Sequence, residues 1–98
     1  METARLAKIL KALSHEKRLA LFLEVAGHTA KDFETGGNEC FICDIMKSLN
    51  IGAPTVSHHL KELSNAELIT TKRRGKFLVA RARKRTLDEA RQVLSVIE

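Results

Sequence analysis

Leu6, Ile9, Leu10 and Leu13 recur at helical spacing and draw one apolar stripe, so residues 3–13 are predicted to form a helix. Ser14 is positioned to cap a second helix from about His15 to Ala26. Its apolar residues (Leu19, Leu21, Phe22, Leu23, Val25, Ala26) cover more than one side, as in a central, well-buried helix. Gly27 reads as its stop, and the polar run 27–38 as a loop or extended arm ending in a Gly-Gly-Asn turn. Residues 39–50 then carry Ile42, Ile45, Met46 and Leu49 at helical spacing. Asn50-Ile51-Gly52 makes a tight turn, and a further helix runs from about Ala53 to Glu67 with Pro54 in its first turn, where a missing N–H costs nothing.

After Leu68 the period changes from helical to alternating. Residues 69–72 and 77–80 read as two strands around Arg73-Arg74-Gly75-Lys76, a β-hairpin with a basic tip. Thr86 is expected to cap a last helix with Leu87, Ala90, Val93, Leu94 and Ile97 on one side. The order predicts a mainly α fold with a small β-hairpin, a winged helix-turn-helix occupying residues 1–98 as one domain.

Charge sharpens this picture. Residues 54–85 hold nine basic side chains against two acidic ones, a balance of +7; with a net charge of +5, the remainder is −2. The positive excess is confined to one stretch, the footprint expected of a surface that meets phosphate. A solvated basic face without a partner has the same composition, so the pattern along the helix at 53–67 has to decide. At about 100° per residue, Val56, Leu60 and Leu63 fall within roughly 60° of one another and point inward. Thr55, Ser57, His58 and Lys61 project from the other side, near the helix start, where a recognition helix reaches base edges in the major groove. His59 falls between the two faces and is expected to bond or pack within the molecule. Lys72, Arg73, Arg74 and Lys76 of the wing suit phosphate or the minor groove. Arg81, Arg83, Lys84 and Arg85 either extend that contact or form a solvated end.

Other classes find less support. No stretch approaches the roughly 20 apolar residues that span a bilayer, and the start of the chain lacks a signal-peptide pattern, so a cytoplasmic protein is expected. No catalytic triad, phosphate loop or paired-carboxylate cleft is recognisable, and the chain is not expected to be an enzyme. A thiol oxidoreductase using Cys40 and Cys43 lacks a βαβ setting. A protein-interaction module with structural cysteines remains the alternative to a DNA-binding regulator.

Several runs resemble the ArsR/SmtB family of bacterial and archaeal repressors: Ala12-Leu13-Ser14-His15-Glu16-Lys17-Arg18-Leu19, then Pro54 through Leu63 with its Val-Ser-His-His-Leu core, then Ala66-Glu67-Leu68-Ile69 and Arg73-Arg74-Gly75-Lys76. The resemblance covers nearly the whole chain. It implies a winged helix, a homodimer built from the first and last helices, and operator binding released by an inducer. Members often carry Glu-Leu-Cys-Val-Cys-Asp-Leu at the start of the third helix, which binds soft metals or arsenite through thiolates. Here the run is Glu39-Cys40-Phe41-Ile42-Cys43-Asp44-Ile45: Cys43 matches the second family cysteine, Phe41 stands at the first, and Cys40 takes the neighbouring leucine position. Two thiols at i and i+3 on one helix lie about 5–6 Å apart, which leaves a soft metal or arsenite-like ion, a redox pair and a purely structural role open. A second family pattern, a zinc site of Asp and His on the last helix, has only Asp88 to match it here.

Overall fold

The computed structural model describes residues 1–35 and 40–97. In chain order it shows helix α1 (Thr3–Leu13), helix α2 (Glu16–Thr35), strand β1 (Cys40–Phe41), helix α3 (Ile42–Leu49), helix α4 (Ala53–Asn65), strands β2 (Ile69–Arg74) and β3 (Phe77–Ala82), helix α5 (Lys84–Leu94) and a 3₁₀ turn (Ser95–Ile97). The three strands form one antiparallel sheet in the order β1-β3-β2. The helical pattern and the hairpin of the sequence reading are therefore present, with a third strand added.

α2 is the centre. Leu21, Phe22 and Val25 are buried along it, and Ile9 of α1, Ile42 and Ile45 of α3, and Val56, Leu60 and Leu63 of α4 belong to the same core. The helix does not stop at Gly27 but continues to Thr35, so residues 27–35 are helical rather than a loop; the Gly-Gly-Asn turn lies outside the described residues. Thr29 supplies the reason. Its hydroxyl donates to the Val25 carbonyl at 2.9 Å and accepts the Ala82 amide at 2.9 Å, tying α2 to β3 in a buried contact. A glycine costs a helix roughly 0.5–1 kcal/mol relative to alanine, less than a buried, doubly used hydrogen-bonding group contributes.

Two caps differ from expectation. His15, not Ser14, closes the start of α2: its Nδ1 accepts the Arg18 amide at 3.4 Å, while the Ser14 hydroxyl donates backwards to the Lys11 carbonyl. α5 begins two residues before Thr86, with Arg83 at its N-cap and Thr86 buried inside the first turn. α3 ends as its sequence suggests. Asn50 takes the left-handed conformation (φ 54°), and the Asn50 and Ile51 amides return to carbonyls of the last turn.

The hairpin turn is Gly75-Lys76, bracketed by the Arg74–Phe77 pair. Gly75 has φ 60°, as the first central position of a type II′ turn requires.

Gly27 sits exposed inside α2, and a methyl group there meets no atom within 4 Å. Gly27→Ala is expected to stabilise the fold by about 0.5–1 kcal/mol. Urea denaturation measures this; an unchanged or lowered midpoint would mean that the glycine is needed where it stands.

Candidate nucleic-acid interface

α4 starts at an N-cap glycine, Gly52, with proline in its first turn, and its first α-helical bond runs from the Val56 amide to the Gly52 carbonyl at 3.0 Å. Burial of Val56, Leu60 and Leu63 turns the opposite side outward, and Thr55, Ser57, His58 and Lys61 are all exposed there. Thr55, Ser57 and His58 lie in the first half of the helix, where the N–H groups and the positive end of the helix dipole favour a negatively charged partner, and Lys61 follows one turn further on.

His59 is buried, in line with its intermediate angular position. Its Nδ1 accepts from Nε of Arg18 at 3.3 Å, and Nη1 of Arg18 donates to the Ala12 carbonyl at 3.3 Å. A guanidinium thus links the end of α1, the start of α2 and the middle of α4. Because Nδ1 accepts, the ring proton of the neutral imidazole sits on Nε2, which is buried without a partner. The His15 ring lies 4.9 Å from that of His59. Burial first, then the charges of Arg18, His15, His58 and Lys17, hold the His59 pKa below its ordinary 6.5.

The wing follows directly. Lys72, Arg73, Arg74 and Lys76 are exposed on β2 and its turn. β2 is also the sheet's edge, where cationic side chains oppose pairing with another strand. Phe77 at the tip is 42% exposed. Its ring meets Phe41 of β1 edge-on at 5.5 Å and carries the Lys76 ammonium 5.5 Å from its centroid. Sequence reasoning missed this brace, since Phe41 and Phe77 are far apart in the chain and only the β1–β3 pairing joins them. Arg83, Lys84 and Arg85 are exposed at the start of α5, and Arg85 pairs with Glu89 at 3.4 Å.

The two cysteines are not brought together as one helical turn. Cys40 lies in β1 opposite Ala80 and is buried in the core, whereas Cys43 is exposed in the first turn of α3. The correction has a physical cause: Cys40 and Phe41 exchange helical bonds for a ladder with β3. Desolvation, then Glu24 and Asp44, push the Cys40 thiol up to about 11. A thiol held protonated is a poor thiolate ligand and a poor redox nucleophile. Among the described residues, no three His, Cys, Asp or Glu side chains are grouped to hold a metal ion. The described residues do not assemble a soft-metal or arsenite site within one chain.

Comparison with known proteins agrees with the architecture. A family profile described as bacterial regulatory protein, arsR family, matches residues 34–71. Arsenical resistance operon repressors of Staphylococcus xylosus and Staphylococcus aureus are each 32% identical to it over 97 residues, covering 99% of this chain and 84% of theirs. The chain belongs to the ArsR family of bacterial regulatory proteins. Solved structures share the fold: an ArsR-like transcriptional regulator from a Rhodococcus species aligns with a TM-score of 0.75 at 21% identity, covering 96% of this chain and 79% of that one. The homodimeric winged helix-turn-helix DNA-binding domain of a possible ArsR-family regulator from Mycobacterium bovis aligns at 0.69 and 20% identity, with the same coverage. The ArsR-family chain is thus a DNA-binding transcriptional regulator of winged-helix fold, a class that is not enzymatic. Among its described residues, no helix is long and apolar enough to cross a membrane.

Two outcomes follow from the histidine and the thiols. The unfolded chain takes up a proton at His59 more readily than the folded one. The stability this confers is complete above pH 6.5 and is lost as pH falls below 6.5 towards the depressed folded value. Thermal midpoints recorded between pH 7.5 and 5 should fall on acidification, and His59→Gln should flatten that slope; the same slope in both proteins contradicts the assignment. For the thiols, a disulfide reagent is expected to modify Cys43 at once and Cys40 only on unfolding. Two equally fast thiols in the native protein would show that Cys40 is open.

Proposed function

We propose that this ArsR-family chain is a homodimeric repressor that reads operator DNA through α4 and its wing. Thr55, Ser57, His58 and Lys61 contact base edges and phosphates in the major groove, and Lys72, Arg73, Arg74 and Lys76 contact the backbone or minor groove alongside. The observation that carries this reading is the two-sidedness of α4: one stripe is sealed in the core while the other offers the hydroxyls of Thr55 and Ser57, the His58 imidazole and the Lys61 ammonium to solvent. Arg and Lys side chains outnumber acids around it, which supplies the sequence-independent part of the affinity.

The dimer reading rests on the terminal helices. Leu10 of α1 is 46% exposed, Leu94 of α5 39% and Val96 beyond it 82%, so each terminal helix ends with apolar surface that the chain's own core does not cover. Association of two copies through α1 and α5 removes it from water, and the Mycobacterium bovis relative is described as homodimeric. Such a regulator acts in the cytoplasm, where its DNA is. Release by a metalloid at Cys40 and Cys43 is not part of this reading, because Cys40 is buried as a neutral thiol.

His58→Ala and Lys61→Ala should each weaken binding to the duplex upstream of the chain's own gene by roughly 1–3 kcal/mol while leaving the unfolding midpoint in place. Unchanged affinity in both overturns the recognition-helix assignment. Arg73→Ala should lower affinity about equally on operator and unrelated DNA and reduce the salt slope by about one; a loss confined to the operator argues for base reading instead.

A further inference from the structure

We propose that the cavity between α1, the start of α2 and the flank of α4 is a binding site for a small phosphate-class anion. It has a volume of about 410 Å³, within the range of small-ligand pockets. Lys8 and Lys11 of α1 line it on one side, His15 just before α2 and Arg18 within it on another, and Glu62 is the single acid on its α4 wall. Three fixed cations face one carboxylate. Among the described residues, neither lysine has an ion-pair partner, and the half-buried Arg18 guanidinium is bonded to two neutral acceptors, the Ala12 carbonyl and His59 Nδ1, rather than to a carboxylate. A partly desolvated guanidinium without a counter-ion, flanked by two ammonium groups, matches the charge and the geometry of a phosphate, which a guanidinium binds through paired N–H donors.

A second observation points the same way. His59 is buried with Nε2 unpartnered, and burial together with the charges of Arg18 and Lys17 opposes its protonation. An anion beside Arg18 relieves that field. Because Arg18 also holds His59 on α4, occupation of the cavity competes for the guanidinium that fixes the recognition helix. The effect on DNA binding rests on the function proposed above; anion binding itself does not.

The same chemistry could be supplied by a DNA backbone phosphate. The residues on the α4 side of the cavity wall are Glu62 and Ala66, and none of the proposed reading residues lines it. A free anion is therefore the assignment.

The test uses pyrophosphate titrated into the DNA-free protein at constant ionic strength, followed by calorimetry and by NMR of the histidine rings and the backbone amides. The expected result is saturable binding at one site per chain, a raised His59 pKa in its presence, and binding about tenfold weaker or more in the Lys8→Ala/Lys11→Ala variant, the loss of at least one charge-assisted contact. Both lysines are exposed, so the variant is expected to keep its fold. Absence of saturation, or equal binding by the variant, overturns the site. So does an unmoved His59 accompanied by shifts spread over the wing lysines, the signature of an adventitious ion only. If pyrophosphate fails to bind while the variant loses affinity for every duplex tested, the phosphate is that of DNA and the free-anion assignment is wrong. Because the titration contains no DNA, a failure of the repressor reading leaves its result intact.

Discussion

Val56, Leu60 and Leu63 must be kept from water, and that requirement orients everything the rest of the molecule presents. Burying such side chains is worth roughly 1.5–3 kcal/mol each, so the three together rival the net stability of a typical domain, about 5–15 kcal/mol. α4 cannot rotate about its axis without losing them. Its outward residues are therefore fixed by the core these three share with Leu21, Phe22 and Val25 of α2. Function here follows from a packing constraint: the stripe that seals the core decides which hydroxyls, imidazole and ammonium meet a partner.

Polar links then lock the scaffold in register. Arg18 joins three helices through one carbonyl and one imidazole nitrogen. Thr29 joins α2 to β3. Arg5 reaches Glu67, just beyond α4, and Glu89 of α5, each at 3.0 Å. These surface-tending ion pairs contribute little stability singly, and their geometric effect matters more. The last connects α1 and α5 to the end of α4.

Much of this was legible locally. The α1 stripe gave its limits, and the angular count on α4 separated Val56, Leu60 and Leu63 from Thr55, Ser57, His58 and Lys61 before any coordinates. The hairpin was legible because a glycine turn and a change of period are both short-range signals. What escaped depends on partners distant in the chain. Helix α2 passes Gly27 because Thr29 meets Ala82. Cys40 leaves the helix because it pairs with Ala80, which also buries its thiol and removes it from the Cys40–Cys43 pair suggested by spacing. Thr86 is a good cap by type, but burial draws it into the helix. Family likeness carried the fold over well and the cysteine pair poorly, because a one-position displacement matters little to a core and decides which side chains meet.

The repressor function proposed for this chain requires that α4's outer face and the basic wing meet DNA together. Titrating an isotope-labelled protein with the duplex upstream of its gene, and following every backbone amide by NMR, tests it directly. The largest shifts should fall on residues 55–61 and 72–76, with the exposed α2 face around Leu23 and Gly27 silent. Shifts centred on that α2 face, or on the terminal helices with α4 unmoved, would contradict it.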